Sequence, residues 1–259
     1  PTGQLPESVL NDFEKWITQG AFDPRTEASN RAVEASEDLD ALWSFQSRVV
    51  SPVPKVIDEA WSRGPLDQFV LARMEAAGLK PTHDADARTL VRRLYFDLTG
   101  LPPSADQVSN FVQDHQQDEK RAVKQLVDRL LAEPQFGVRW GRHWLDVARY
   151  GESNGDDGLG RNATFPHAWR YRDYVIDAMN RDPGYDHFLR EQIIGDTLKA
   201  NDAAEKNRYL IATGFLALGS KPASAMNSNF AMDVVDDQIN VVSTGVLGLS
   251  VACARCHDH

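Results

Sequence analysis

Cysteine is nearly absent from this sequence: two among 259 residues. So few thiols exclude a disulfide framework, which needs several bridges to hold a loop-rich fold. Positive charge is in deficit. Lysine and arginine number 28 against 38 aspartates and glutamates, a formal net charge of -10. Basic residues never run to five in a row, so the chain lacks the patch that nucleic acid or an anionic membrane surface requires. Long hydrophobic runs are missing too. The longest, Val241 to Ala254, is broken by Ser243, Thr244, Gly245, Gly248 and Ser250. It is too short and too rich in small residues to span a bilayer. No segment alternates apolar and polar residues as a half-buried strand does, and no internal repeat is visible. The sequence opens on Pro1, without an initiator Met or a signal peptide, and reads as an internal piece of a longer protein.

What remains is helical. Apolar residues make up 42% of the chain, enough for a sizeable core. Leu5, Val9, Leu10, Phe13, Trp16 and Ile17 recur at helical spacing before Gly20. Residues 23–64 are polar, then punctuated by proline (Ser51-Pro-Val-Pro54), and read as a linker. Pro65 to Ala77 predicts a helix with Pro at its first turn and a stripe of Leu66, Phe69, Val70 and Met74. Ala87 to Leu98 follows with Leu90, Val91, Leu94 and Leu98 inward. Ser104 caps a short helix. Glu119 to Leu131 is amphipathic through Val123, Leu126, Val127, Leu130 and Leu131. Further helices are expected from Pro134 to about Tyr150, near Phe165–Asn180, Tyr185–Leu198 and Glu205–Leu218, and from Phe230 to Ala252. The fold expected is all-α, a multi-helix orthogonal array with an extended Pro-rich linker near the N-terminus.

The densest chemistry lies at the end, in Cys253-Ala-Arg-Cys256-His257-Asp-His259. C-x-x-C-H is the attachment signature of haem c. Two thiols add across the two porphyrin vinyl groups, and the adjacent imidazole lies under the iron. Cys253 and Cys256 are then the thioether sites and His257 the proximal ligand. Two other readings stay open. Cys253, Cys256 and His257 or His259 could bind zinc with ligands from elsewhere, or the segment could be a turn without cofactor. A six-coordinate haem needs a distal ligand, for which His143 and His167 stand in aromatic-rich segments and Met226 and Met232 are further options. Covalent haem would place the chain in the periplasm or outside the cell.

Three polar groupings accompany the motif. Arg139, Arg142, His143, Asp146, Arg149 and Tyr150 share one helical face; they form either a pocket in which Asp146 orients His143, or a surface ion-pair ladder. Pro166 to Asp173 brings His167, Trp169, Arg170, Arg172 and Asp173 together, a set suited to anions or sugars. Arg142, Asp146, Arg149, His167, Arg172 and Asp173 are the candidate polar pocket. Carboxylates stand at Asp186, Glu191, Asp196, Asp233, Asp236 and Asp237. Glycosidases use paired carboxylates, but the sequence gives no separation between these. The loop from Glu152 has Asp157 at its sixth position where a calcium loop needs Gly, and Ala163 at its twelfth where that loop needs Glu, which excludes an EF-hand.

Several segments together carry a resemblance. Leu98-Thr-Gly-Leu-Pro-Pro103, Arg139 to Tyr150, Pro166 to Asp173, Glu191-Gln192 with Gly195-Asp196, Asp237-Gln238 and Cys253 to His259 resemble the planctomycete cytochrome-c-associated (PSCyt) family, in its middle domain of unknown function. The resemblance covers about residues 65–259. It implies an exported, multidomain parent in which a cytochrome c domain precedes this one. Residues 1–22 then correspond to the last helix of that domain, 23–64 to a linker, and 65–259 to a helical domain cut short at its C-terminus. The function expected is a haem-linked electron-transfer module, with the neighbouring cytochrome domain as partner. The alternatives are a carbohydrate-active or hydrolytic domain acting on polysaccharide, and a zinc-stabilised scaffold.

Overall fold

The computed structural model describes residues 6–20, 46–153, 164–219 and 230–255. Among these the chain is all-α: ten α-helices joined by short 3-10 and π turns. An isolated antiparallel bridge joins Ser153 to Thr164, and no strand forms among the described residues. Two units separate, Pro1–Thr82 and His83–Asp258.

The first unit contains α1 (Glu7–Thr18) and α2 (Pro65–Ala76). No residue of α1 is buried. Residues 46–64 are irregular, and residues 21–45, which include the rest of the expected linker (23–45), lie outside the described residues. Glu75 ties that irregular stretch to α2, accepting from the backbone N–H groups of Ile57 (3.0 Å) and Asp58 (3.1 Å). The stripe expected on α2 is not its buried face. Leu66 is 82% exposed and Val70 is also exposed, whereas Leu71 is 1% exposed. Apolar residues surround this helix, so periodicity alone does not select a side.

The second unit runs through α3 (Ala87–Thr99), α4 (Ala105–Gln117), α5 (Glu119–Leu131), α6 (Pro134–Val147), α7 (Trp169–Arg181), α8 (Tyr185–Ile194), α9 (Ala203–Ala212) and α10 (Phe230–Val242). Local chemistry sets the boundaries. Asp86 caps α3 by accepting from Arg88 and Thr89, and Gly100, at φ 74°, ends it in the left-handed region. Ser104 and Gln107 form a reciprocal capping box on α4. Asp118 caps α5 and Asp202 caps α9.

Two apolar clusters result. Val91, Tyr95, Phe111, Ala122, Leu126 and Leu130 lock α3, α4 and α5 together. On α3 only Val91 of the expected face is buried, with Tyr95 and Thr99 beside it, and Leu90, Leu94 and Leu98 flank the cluster half-buried; on α5 Leu126 and Leu130 are buried as expected, whereas Leu131 is exposed and Ala122 is buried. The second cluster joins α6–α10 through Leu145, Tyr171, Tyr174, Val175, Phe188, Phe215 and Val241. Its helices α6 and α7 approach closely at Gly137. A Cβ there would lie 2.4 Å from the Ile176 carbonyl oxygen. Asn180 pins the same point, accepting from the Gly137 N–H (2.8 Å) and donating to the Pro134 carbonyl (3.1 Å).

Three expected helices end early. The α8 segment passes into a 3-10 turn at Gly195–Thr197, and α9 into another at Thr213–Leu216. The last helix stops at Val242 rather than Ala252. A π turn, Ser243–Leu247, follows and closes on Gly248 at φ 68°. The Ser243 hydroxyl donates to the Ile239 carbonyl (2.7 Å), and the Ser243 carbonyl accepts from the Leu249 N–H (3.0 Å).

Candidate functional site

The cysteine motif begins on a 3-10 turn, Ala252–Arg255, that packs on α10. Cys253 is an exposed, free thiol there. Arg255 fastens the turn. One guanidinium nitrogen meets Asp233 (2.5 Å) and the other Asp236 (3.2 Å), carboxylates one turn apart on α10. Hydrogen bonds to Asp233 and then Asp236 raise the Arg255 pKa further. Cys256, His257 and His259 lie outside the described residues, as does Met226. Met232 is exposed at the start of α10, beside Asp233. Among the described residues no group of three or more His, Cys, Asp or Glu is placed to hold a metal ion. Of the three residues of the motif, Cys253 alone is among the described residues.

The six residues of the candidate polar pocket are distributed over separate places. Arg142 and Asp146 pair at 3.2 Å on the surface of α6, with side chains 73% and 66% exposed. Such an i,i+4 pair is the surface ladder among the two readings, and it contributes little to stability. His143 lies edge-on to Trp140, centroids 5.4 Å apart, while Asp146 holds Arg142. His167 is exposed and lines a depression of about 390 Å³ with Phe165, Tyr171 and Leu218. Arg172 bridges Glu152 (2.8 Å) and Asp173 (3.1 Å). Beside it, burial and a hydrogen bond to Glu152 push the Tyr150 hydroxyl up to about 12.

Arg149 has a different environment. It lies two residues past the end of α6 with φ 56°, a conformation that non-glycine residues adopt rarely. One guanidinium nitrogen reaches Asp237 on α10 at 3.0 Å, while its Nε and Nη1 are buried with no hydrogen-bond partner among the described residues.

The most enclosed polar chemistry centres on Glu191, 1% exposed on α8. One carboxylate oxygen accepts from Tyr174 on α7 (2.8 Å). The other meets Arg208 on α9 (3.1 Å) and His187 (3.2 Å). Arg208 also reaches Glu205 (3.3 Å), which accepts from Tyr209 (2.9 Å) and from the Asn201 backbone (2.7 Å). The Asn201 N–H, then Tyr209, hold the Glu205 pKa below the ordinary carboxylate value. Gln192, next to Glu191, accepts from both Trp144 (2.8 Å) and Tyr171. Burial raises the Tyr171 and Tyr174 hydroxyls well above the usual tyrosine range, and the hydrogen bond to Glu191 raises Tyr174 further. Both phenols therefore stay protonated donors. Of the six carboxylates singled out in the sequence, Glu191 is in this network, Asp233 and Asp236 hold Arg255, Asp237 holds Arg149, and Asp186 and Asp196 are exposed. Tyr174, Glu205 and Arg208 are not legible in the sequence as members of a network around Glu191, because no helical spacing links Glu191 to Tyr174 or Arg208, each 17 residues away.

This arrangement defines an all-α domain with a buried carboxylate network and a cysteine turn clamped to its last described helix. Residues 65–259 match PSCyt2, described as a protein of unknown function (DUF1549), and the chain belongs to that family. No curated protein and no solved structure matches it.

Proposed function

We propose that the chain is the haem-bearing electron-transfer module of an exported, multidomain protein. The observation that carries this reading is the C-x-x-C-H sequence, which uses both cysteines of the chain and begins with an exposed, free Cys253. Cys253 and Cys256 would hold the porphyrin through thioethers and His257 would face the iron. Haem held there would supply a one-electron couple. The chain's own contribution is positional. Asp233 and Asp236 grip Arg255, inside the motif, and so fix where the first thiol stands. Of the candidates named for the opposite axial position, Met232, His143 and His167 are among the described residues; Met232 stands on the helix that the clamp engages. The partner on this reading is a neighbouring cytochrome c domain, and the compartment is the periplasm or the exterior.

The test is export of the chain in a host with haem-maturation machinery, followed by intact-mass analysis and a haem stain on a denaturing gel. A haem-sized increment, absent from a Cys253→Ala/Cys256→Ala variant, is the expected result. An unmodified mass from correctly exported protein would overturn the reading, and bound zinc in that sample would replace it with a metal-stapled scaffold.

A further inference from the structure

We propose that the depression between the start of α7 and the 3-10 turn after α9 is a binding site for a small amphipathic acid, an apolar body carrying one carboxylate. Its volume is about 390 Å³, within the range of roughly 300–1,000 Å³ usual for small-molecule sites. At about 30 Å³ for each water-sized group it holds about a dozen heavy atoms, the size of a medium-chain or aryl-alkyl acid. The lining is mainly apolar. Phe165, Ile211, Ala217 and Leu218 contribute to it, and Tyr171 offers its ring, because its hydroxyl is taken up by buried Gln192. That wall is set before a ligand arrives: Tyr171 is buried, and a Cβ on Gly214 would lie 3.1 Å from its ring. Prior fixing reduces the ordering that binding would otherwise require.

Charge selects the head group. Among the described residues that line the depression, Arg170 and His167 bring donors and none brings a carboxylate, in a chain whose net charge is -10. Three arginines stand on α7. Arg172 is bound to Glu152 and Asp173, and Arg181 to Asp177. Arg170 has no hydrogen-bond acceptor among the described residues; its guanidinium lies over the Trp169 ring, 5.2 Å from the centroid. Stacking takes up one face of the guanidinium and leaves its in-plane N–H groups free, the fork that matches the two oxygens of a carboxylate. The His167 imidazole, also without an acceptor among the described residues, adds an N–H donor in either protonation state. Asp173 and Asp177 line a neighbouring cleft instead, and both are paired. An ammonium head would meet two donors and no carboxylate. No residue of α10 or the cysteine turn is among the described lining residues, so binding is independent of haem.

The experiment titrates the chain by calorimetry with octanoate and 3-phenylpropanoate, and with octanol, octylamine and acetate as arms that lack the charge, reverse it or lack the apolar body. Saturable binding of one or both acids at a single site is expected, with octanol at least tenfold weaker and no binding of octylamine or acetate. Arg170→Gln should weaken the acid at least tenfold. Ala217→Phe, which fills the depression from an exposed position, should abolish binding. Arg121→Gln, on the surface of α5, should leave it unchanged, with circular dichroism confirming the fold of each variant. No saturable binding of either acid by folded protein, octanol or octylamine binding as tightly as octanoate, or unchanged affinity in Arg170→Gln would each overturn the proposal.

Discussion

The two buried clusters of the larger unit are held by different means. The α3–α5 cluster is apolar apart from the hydroxyl of Tyr95, which accepts from Arg129 at 3.3 Å. The α6–α10 cluster surrounds two fully buried polar side chains, Glu191 and Gln192, and satisfies them from three helices. Volume and shape determine the first. Hydrogen-bond partners and charge determine the second, because a buried carboxylate tolerates only arrangements that keep it paired. Tyr171, bonded to Gln192, also walls the depression at His167, so a residue that specifies the core helps to build a candidate site.

Substitutions of matched volume separate the two kinds of cohesion. The largest effect is expected from Glu191→Ala, which removes the partner of Arg208, Tyr174 and His187; breaking a buried pair of this kind destabilises by about 4 kcal/mol. Glu191→Gln keeps the volume yet loses the charge opposite Arg208, and should still lose about 2 kcal/mol. Leu130→Ala, in the apolar cluster, should lose about 3 kcal/mol through a cavity, while Leu126→Met, near-isosteric, should lose less than about 1.5 kcal/mol. Urea unfolding of the four variants measures this contrast. If Glu191→Gln were as harmless as Leu126→Met, the polar network would not be specifying its core.

High pH probes the polar cluster by another route. Tyr171 and Tyr174 have hydroxyl pKa values raised above the ordinary 10.0, chiefly by burial. Below pH 10 both states hold these protons, and the stability is fully present. As pH rises past 10 the unfolded chain releases protons that the folded chain retains, so the balance moves toward unfolding. The loss is about 1.4 kcal/mol per pH unit for each tyrosine, until the folded-state values are reached. Tyr174→Phe should lower that slope by about 1.4 kcal/mol per pH unit, which unfolding curves at pH 10 to about 11.5 would show. An unchanged slope would mean that Tyr174 titrates alike in both states.

Legibility in the sequence follows the same division. The α3–α5 region is readable because its information is local: Leu90, Val91, Leu94 and Leu98 at helical spacing, Ser104 with Gln107, and turn residues such as Gly100. On α2 the period is ambiguous, since apolar residues on every side leave Leu71 indistinguishable from the predicted stripe. The last helix ends well before the small, apolar sequence that follows it would suggest, giving way to a π turn that closes on Gly248 in the left-handed region. Arg149 and Asp237 lie 88 residues apart, and no spacing rule joins them. Glu191 stands out in the sequence as a carboxylate of interest, but its burial arises only when α7 and α9 close over α8. Charged groups in sequence read as solvated by default, and only packing shows which one is enclosed.

The smallest effect lies at the legible end. Ser104 accepts from the Gln107 N–H at 3.2 Å, and the Gln107 side chain accepts in return from the Ser104 N–H at 2.7 Å. Both are exposed, so Ser104→Ala removes one cap without opening a cavity. The expected loss is about 1 kcal/mol. Ser104→Asp, which restores an acceptor and adds negative charge at the N-terminus of α4, should recover it. Thermal unfolding of the two variants reads the difference directly. A loss from Ser104→Ala as large as that from Leu130→Ala would mean that α4 depends on its cap as much as on its buried face, and the apolar cluster would then be less purely a matter of volume than its residues suggest.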